Sequence, residues 1–167
     1  MDRITPEQRS RLMARIRGRD TLPEILVRKQ LFACGWRFRV CDKRLKGRPD
    51  IVIPRAKTIV DIRGCFWHRH GCRDSTMPKS NVAFWMEKWS KNVKRDHRNE
   101  KCWECEGWNR IIVWECALAP KTRARTLERI ADKIAAWADE VAAKAIRRKP
   151  HRLELPIRVR ARARVSS

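Results

Sequence analysis

Residues 58–72 read Thr58-Ile59-Val60-Asp61-Ile62-Arg63-Gly64-Cys65-Phe66-Trp67-His68-Arg69-His70-Gly71-Cys72. The first five are β-branched apart from a single acid, which predicts a short strand. The loop that follows contains two thiols and two imidazoles within eight residues, and Cys and His are the usual zinc ligands. An adjacent Phe-Trp pair lies among them. The stretch therefore predicts a strand followed by a loop that is stabilised by a bound metal ion and exposes aromatic side chains.

The flanking strands predict a mixed sheet. Residues 50–54 form a second β-branched run, and together with residues 58–62 they predict a hairpin. Residues 36–40 alternate apolar and basic side chains, as a half-buried strand does. Residues 110–114 are apolar enough for the centre of a sheet.

Helices are predicted on both sides of these strands. One begins at a capping box formed by Thr21 and Glu24 and stops near Gly35. Two longer helices are predicted over residues 84–105 and 122–147, and a basic helix is predicted to begin at Thr5. The order of elements predicts an α/β sandwich around a mixed sheet.

The composition points to a polyanionic partner. The 167 residues include 41 Lys and Arg against 19 Asp and Glu, a net charge of +22. A phosphate backbone would neutralise this charge, whereas a merely solvated basic surface is the plainer alternative. Residues 1–148 are assigned to one packed domain, and the Arg-rich residues 149–167 to a flexible basic arm on nucleic acid.

The seven cysteines are expected to be reduced. The chain opens without a secretory signal and has no apolar run of the roughly 20 residues that span a bilayer. We therefore expect a cytoplasmic protein that has no membrane partner. In that compartment, clustered Cys and His are more often metal ligands than disulfide partners.

A tetrahedral zinc site needs four ligands, and the loop supplies three of them, Cys65, His70 and Cys72. The candidates for the fourth ligand are His68, Cys102, Cys105 and Cys116. Cys116 is favoured because it directly follows a core strand, whose end is rigid and would lie near the loop. The alternative to a metal site is a set of packed, reduced cysteines.

A second constellation is acidic. Asp50 enters one predicted strand, and Asp61 and Arg63 share a face at the end of the next one. Carboxylates on neighbouring strands, followed by a cation, can hold Mg²⁺ against a phosphate, as in the Pro-Asp…(Asp/Glu)-x-Lys pattern of many nucleases. Here Arg63 stands in the Lys position. The alternative is a turn Asp that only caps a strand.

His68 is available as a general base if Cys116 completes the zinc site. Asp96 on the long helix could orient the imidazole. Phe66, Trp67 and Trp85 could insert between base pairs, at a cost that is lower at a mismatched step. For Trp89 and Trp103, also on that helix, core packing is the favoured interpretation.

These motifs resemble those of the very-short-patch mismatch-repair (Vsr) endonuclease family, over roughly residues 10–118. The resemblance rests on the following segments: Asp20-Thr21 with Glu24, Gly47-Arg48-Pro49-Asp50, Gly64-Cys65-Phe66-Trp67-His68, His70 with Cys72, Phe84-Trp85 with Glu87-Lys88, Lys91-Asn92-Val93 with Arg95-Asp96, and Val113-Trp114-Glu115-Cys116-Ala117-Leu118. It implies the fold of restriction endonucleases, a three-layer sandwich whose mixed central sheet is flanked by helices. It also implies nicking of one strand beside the thymine of a T·G mismatch left by deamination of 5-methylcytosine.

The resemblance implies a role for individual residues. Asp50 would bind catalytic Mg²⁺, and His68 would act as general base with Asp96 and Glu24 in support. Structural Zn²⁺ would sit on Cys65, His70, Cys72 and Cys116. Phe66, Trp67 and Trp85 would form the wedge, Met13 would enter from the opposite groove, and Asn92 would contact backbone phosphate.

The segment Asp61-Ile62-Arg63 departs from the family pattern of an apolar residue, Thr and His. The Ile62 carbonyl can replace the Thr carbonyl as an Mg²⁺ ligand. Arg63 can stabilise charge but cannot shuttle protons as His does. Asp61 would add a metal ligand, which brings the site closer to an ordinary restriction nuclease.

The sequence therefore predicts a zinc-stabilised, Mg²⁺-dependent endonuclease that acts on double-stranded DNA at T·G mismatches. It is expected to be a monomer in the bacterial cytoplasm, associated with the nucleoid, with repair-pathway proteins as further partners. Alternatives are a restriction or homing nuclease that cuts both strands, and a zinc-dependent mismatch-binding protein disabled by Arg63. A basic RNA-binding module is disfavoured because it would not need Asp50 and His68 together.

Overall fold

The computed structural model describes residues 18–148 together with residues 5, 7, 8, 11 and 14. Three α-helices lie within residues 18–148: α1 (Leu22–Ala33), α2 (Val82–Cys105) and α3 (Arg123–Arg148). The helices predicted from sequence are found with shifts of one or two residues at their ends. Met13 and the arm at residues 149–167 lie outside the described residues, as does most of the helix predicted from Thr5.

Four strands form one sheet in the order β1-β2-β3-β4. They are β1 (Arg39–Val40), β2 (Ile51–Ile53), β3 (Thr58–Arg63) and β4 (Asn109–Trp114). The first three pair antiparallel, so the predicted β2–β3 hairpin is present, with a 3₁₀ turn at Pro54–Ala56. Strands β3 and β4 pair in parallel, which makes the sheet mixed, as predicted.

The sheet is covered by helices on both faces, which completes the predicted three-layer sandwich. Helices α1 and α3 pack on one face, and the core between them and the sheet includes Val27, Ile51, Val60, Ile111 and Ile134. On the other face, Trp103 of α2 packs against Val52 and Ile59. The alternation of Ile59 and Val60 between the two layers follows from the two-residue period of a strand.

Two details of the sequence reading are corrected. The strand predicted over residues 36–40 is ordered as a strand only at Arg39–Val40, because its partner β2 has just three residues to pair with. The capping box at α1 lacks its first bond. Thr21 donates its hydroxyl to Glu24 Oε1 at 2.8 Å instead of accepting a helix amide, since the carboxylate is the stronger acceptor.

Helices α1 and α2 end in the same way. Gly35 and Gly107 follow them with φ of +81° and +73°, a region that glycine enters without steric cost. The next residue donates its amide back into the last helical turn, from Trp36 to Leu31 and from Trp108 to Trp103, each at 2.9 Å. Among the described helices, none is both long and apolar enough to cross a membrane.

Candidate active site and metal centre

The functional residues gather at one edge of the sheet because β3 and β4 are parallel. Arg63 pairs in register with Trp114, so the loop after β3 and the turn after β4 leave the sheet side by side. Strand β2 runs the opposite way, and Asp50 therefore enters it at this same edge. Strand direction therefore brings the Cys/His loop, Cys116, Asp50 and Asp61 to the same edge of the sheet.

The Cys/His loop and the β4 turn form a four-residue cluster. The ligand atoms of Cys65, His70, Cys72 and Cys116 all lie within 4.8 Å of one another. His70 Nδ1 is 3.7 Å from Cys65 Sγ and 3.5 Å from Cys116 Sγ. Bond lengths of ~2.0–2.3 Å at a tetrahedral zinc place neighbouring ligand atoms ~3.5–3.8 Å apart. The cluster thus has the size and chemistry of a closed zinc site.

Two of the other candidates for the fourth ligand have different partners. Cys102 donates its thiol to Glu106, directly after α2, and His68 bonds to Asp96. The ring of His70 stacks on Trp114 with centroids 4.1 Å apart, which fixes the imidazole plane. Burial raises the pKa of the Cys65 thiol to about 12, and a zinc ion bound in the cluster would favour the thiolate.

Substituting Cys116 is expected to remove one of the four zinc ligands. Cys116→Ser should lose the bound zinc and lower the thermal stability together, because metal binding at such a site is linked to folding. Cys102→Ser is the matched control and should keep both. Metal content by elemental analysis and melting curves on the two variants provide the measurement. Full zinc in Cys116→Ser, with loss in Cys102→Ser, would overturn the ligand assignment.

A cavity of about 730 Å³, here called the edge cavity, opens beside this cluster. It lies between α1, the β2 and β3 ends of the sheet, and α2. Its lining includes most of the chemically active residues predicted from sequence. They are Glu24, Asp50, Asp61, Ile62, Arg63, Trp67, His68 and Asp96.

Asp50 lies at the centre of this arrangement. Its Oδ2 accepts the backbone N–H of Ile62 at 2.7 Å, which ties the start of β2 to the end of β3. The pKa of Asp50 is raised to about 7 by burial, with the nearby carboxylates of Asp61 and Glu24 adding to the rise and the hydrogen bond from Ile62 opposing it. A half-buried carboxylate with acidic neighbours holds a proton more tightly than a free one, and a divalent cation bound there would stabilise its charged form.

His68 and Asp96 form a hydrogen-bonded pair. His68 Nδ1 lies 2.5 Å from Asp96 Oδ2, across 28 residues of sequence. The pKa of Asp96 is lowered because the bond and charge of His68 outweigh the opposing effect of burial. A carboxylate on Nδ1 fixes the ring orientation and leaves Nε2 available as a proton acceptor in the edge cavity.

Asp61 and Arg63 belong to a charged network that includes Glu100 of α2. Arg63 donates to Asp61 Oδ2 at 2.8 Å and to Glu100 Oε1 at 2.6 Å, and only 6% of Arg63 is exposed. Arg110 adds a cation 3.6 Å from Glu100. Burial raises the pKa of Asp61, although the contact with Arg63 opposes that rise. Arg63 therefore bridges two carboxylates.

Glu24 is buried at the start of α1 and faces the edge cavity. Its carboxylate accepts the Asp20 amide at 3.0 Å and the Thr21 hydroxyl at 2.8 Å. Arg28, one turn later, bonds to Glu24 Oε2 at 3.4 Å. Glu24 thus holds the N-terminal turn of α1 together beside the cavity that Asp50 also lines.

Phe66, Trp67, Trp85 and Trp89 form an aromatic cluster that reaches the edge cavity through Trp67. Phe66 makes edge contacts with Trp67, Trp85 and Trp89, with centroids 5.0–5.4 Å apart. Trp89 is buried and anchors the group, whereas Phe66, Trp67 and Trp85 are partly exposed. Neighbouring Phe84 and Met86 are exposed, so the cluster continues into an apolar surface.

Asn92 and Lys88 support this cluster from α2. Asn92 donates its side-chain amide to the Trp67 carbonyl at 2.9 Å, which holds the loop in place. The Lys88 ammonium lies 5.2–5.6 Å from the centroids of the Trp67, Phe84 and Trp85 rings. The phosphate contact expected for Asn92 and the wedge role of Met13 stay predictions.

Two residues of the site were given no role in the sequence analysis. Glu100 was not singled out, and Lys88 was named only as part of a family segment; both lie on α2, a helix rich in charged side chains. A helical projection would have offered one signal for Glu100, because it follows Asp96 at i+4 and Trp89 lies on the same side of the helix. Its partner Arg63 is 37 residues away in sequence, which no local pattern encodes.

The fold and the site define a nuclease of the restriction-endonuclease-like class. The model of the family described as DNA mismatch endonuclease Vsr matches residues 1–74. The chain is 48% identical over 124 residues to the type II nicking enzyme V.NmeAIP of Neisseria meningitidis serogroup A, covering 74% of this chain and 89% of that protein. It is 44% identical over 118 residues to the type II nicking enzyme V.XorIIP of Xanthomonas oryzae, covering 71% and 87%.

A third relative is the DNA mismatch endonuclease Vsr of Escherichia coli K12. It is 39% identical over 129 residues, which cover 77% of this chain and 82% of that protein. The chain belongs to the Vsr family of DNA mismatch endonucleases.

Proposed function

We propose that this protein nicks one strand of double-stranded DNA beside the thymine of a T·G mismatch, in a reaction that depends on Mg²⁺. The observation that carries the proposal is the shared cavity of Asp50 and the His68–Asp96 pair, with a partly exposed aromatic cluster that reaches the cavity through Trp67. Hydrolytic groups and a base-stacking surface thereby face the same substrate. The relatives named as nicking and mismatch enzymes support the same activity.

The donor set at Asp50 fits a hard divalent cation. Mg²⁺ prefers oxygen ligands and is usually held by one or two carboxylates together with substrate phosphate. Asp50 would hold it, with the Ile62 carbonyl and Asp61 as further oxygen ligands. When bound there, Mg²⁺ supplies Lewis acidity at the scissile phosphate. Burial and the nearby carboxylates of Asp61 and Glu24 raise the pKa of Asp50 to about 7, and a bound cation would favour the ionised form of this carboxylate.

His68 would take a proton from the attacking water. Its Nδ1 is occupied by Asp96, so Nε2 is the nitrogen that accepts the proton, and Asp96 stabilises the imidazolium that forms. Arg63 balances the negative charge of Asp61 by an ion pair, and it forms a second ion pair with Glu100. Glu24 holds the first turn of α1 together beside the cavity.

The aromatic cluster would open the duplex at the mismatch. Phe66, Trp67 and Trp85 insert between base steps, and the unstacking this requires is less costly at a T·G pair than at a matched pair. The four Cys/His residues would hold a structural zinc that keeps the loop carrying Phe66 and Trp67 folded. The protein would act as a monomer in the bacterial cytoplasm.

Strand-specific labelling tests the polarity of the reaction. A T·G duplex labelled in turn on each strand should give a product only from the strand that carries the thymine. Equal cutting of both strands would favour the restriction-type alternative. Tight mismatch binding with no product at any Mg²⁺ concentration would favour the binding-protein alternative.

Asp61 is expected to tune the Mg²⁺ requirement. If it is a metal ligand, Asp61→Ala raises the Mg²⁺ concentration for half-maximal nicking several-fold, because one oxygen ligand is lost. The competing arrangement is an ion pair only, since Asp61 Oδ2 already bonds to Arg63. Mg²⁺ titrations of wild type and Asp61→Ala decide between them, and superimposed curves would remove Asp61 from the ligand set.

A further inference from the structure

Four Lys or Arg side chains line the edge cavity within the described residues: Arg48, Arg63, Lys88 and Arg95. Three of them are engaged. Arg63 bridges Asp61 and Glu100, Lys88 lies over aromatic rings, and Arg95 is 3.6 Å from Asp96. In the described part of the chain, the guanidinium of Arg48 has no ion pair, side-chain hydrogen bond or ring contact. It is exposed and lies two residues before Asp50.

The backbone at Arg48 is unusual. Arg48 has a φ of +53°, in the left-handed region that non-glycine residues rarely enter. It also precedes Pro49, and a residue before proline is ordinarily restricted to extended conformations. Such a conformation costs free energy and persists only where surrounding contacts impose it, a situation found most often at ligand-binding sites.

The contacts that impose it come from both sides of the turn. Trp103 donates its indole N–H to the Lys46 carbonyl at 2.8 Å. A Cβ on Gly47 would lie 2.2 Å from Asn99 Nδ2, so α2 packs directly against the turn. Pro49 is fully buried on the far side of Arg48. The backbone is thus clamped before and after Arg48 while its side chain stays exposed in the cavity.

We propose that Arg48 binds a phosphate of the DNA backbone where the strand enters the edge cavity beside Asp50. This inference rests on the proposed function. A guanidinium presents a planar fork of donors that matches two phosphate oxygens, and an unpaired guanidinium loses no protein partner when it binds them. The strained turn positions the fork next to the carboxylate that would hold the metal.

The test uses duplex binding in Ca²⁺ across a salt series, with a T·G duplex and its matched homoduplex. Arg48→Ala should weaken binding to both duplexes by about tenfold and reduce the salt slope of log K by about one, as expected for loss of one phosphate contact. Arg55→Ala is the matched control. Arg55 is an exposed arginine in the turn between β2 and β3, at the opposite end of these strands, and its removal should leave affinity and slope unchanged.

Two further variants separate phosphate binding from a structural role. Arg48→Gly relieves the left-handed backbone, so its melting temperature should equal or exceed that of wild type while DNA binding falls as in Arg48→Ala. Arg48→Lys keeps the charge and should retain the salt slope, but single-turnover nicking should fall because the fork is lost. A lower melting temperature in Arg48→Gly would show that Arg48 is structural.

Wild-type affinity and slope in Arg48→Ala, or an equal loss in Arg55→Ala, would overturn the assignment. Failure of the proposed function can be distinguished from failure of the Arg48 assignment. In that case the wild-type protein would leave a T·G duplex uncut, whereas the salt slope on the same duplex would still report the Arg48 contact.

Discussion

Asp50→Asn is expected to reduce nicking by at least about a thousand-fold while duplex binding persists, because a bound divalent cation contributes several kcal/mol to stabilising the transition state. Asparagine keeps the shape of the side chain and its carbonyl can still accept the Ile62 amide, but it lacks the charge that holds the metal. Asp132→Asn, an exposed acid on α3, is the control and should nick at the wild-type rate. Near-normal turnover in Asp50→Asn would remove Asp50 from the metal site.

The same variant should change stability as well as rate. The pKa of Asp50 is about 7 in the folded chain, against an ordinary value of 3.8 that describes the unfolded chain. The folded state therefore binds a proton more tightly between about pH 4 and 7, and the free energy of unfolding of the metal-free protein falls as pH rises through that window. Asp50→Asn should remove this fall, a gain of about 2–4 kcal/mol at neutral pH. Chemical denaturation in EDTA at several pH values measures it.

The second large effect is expected at His68. His68→Ala should lower the nicking rate by about 10²–10⁴-fold, the usual contribution of a positioned general base, with little change in DNA affinity. Asp96→Asn should lower the rate by less, since it weakens the orientation of the ring but leaves the imidazole in place. His97→Ala removes an exposed histidine from the same helix and is the control. Single-turnover nicking at saturating enzyme gives these rates, and an unchanged rate in His68→Ala would reject the general-base role.

Much of the fold followed from local patterns because each element carries its own signal. The β-branched runs at β2 and β3 predicted the hairpin, and Gly35 and Gly107 ended their helices by a local backbone rule. The metal-binding role of the Cys/His loop could also be predicted locally, since three of its candidate ligands lie within eight residues. Cys116 could be placed near them only by assuming that two strands are adjacent, and the parallel β3–β4 pairing supplies that adjacency.

The parts that could not be predicted depend on contacts distant in sequence. Glu100 meets Arg63 across 37 residues, and this contact turns a cation expected to face phosphate into a buried bridge between two carboxylates. The strain at Arg48 could not be predicted from the sequence either, because it arises from Trp103 and Asn99 packing on the turn.

The core positions on α2, in contrast, could be predicted. Trp89 and Trp103 were assigned to the core from helical spacing, and both are buried.

The most direct measurement is Mg²⁺-dependent nicking on a panel of duplexes that differ in one base pair. T·G duplexes in varied flanking contexts, with matched T·A and C·G duplexes, are incubated with wild-type protein and with Asp50→Asn, with and without Mg²⁺. The account predicts a nick in the thymine strand of at least one T·G context, only with Mg²⁺ and only with the wild-type protein. Nicking of matched duplexes at the same rate, or nicking that survives in EDTA, would contradict it.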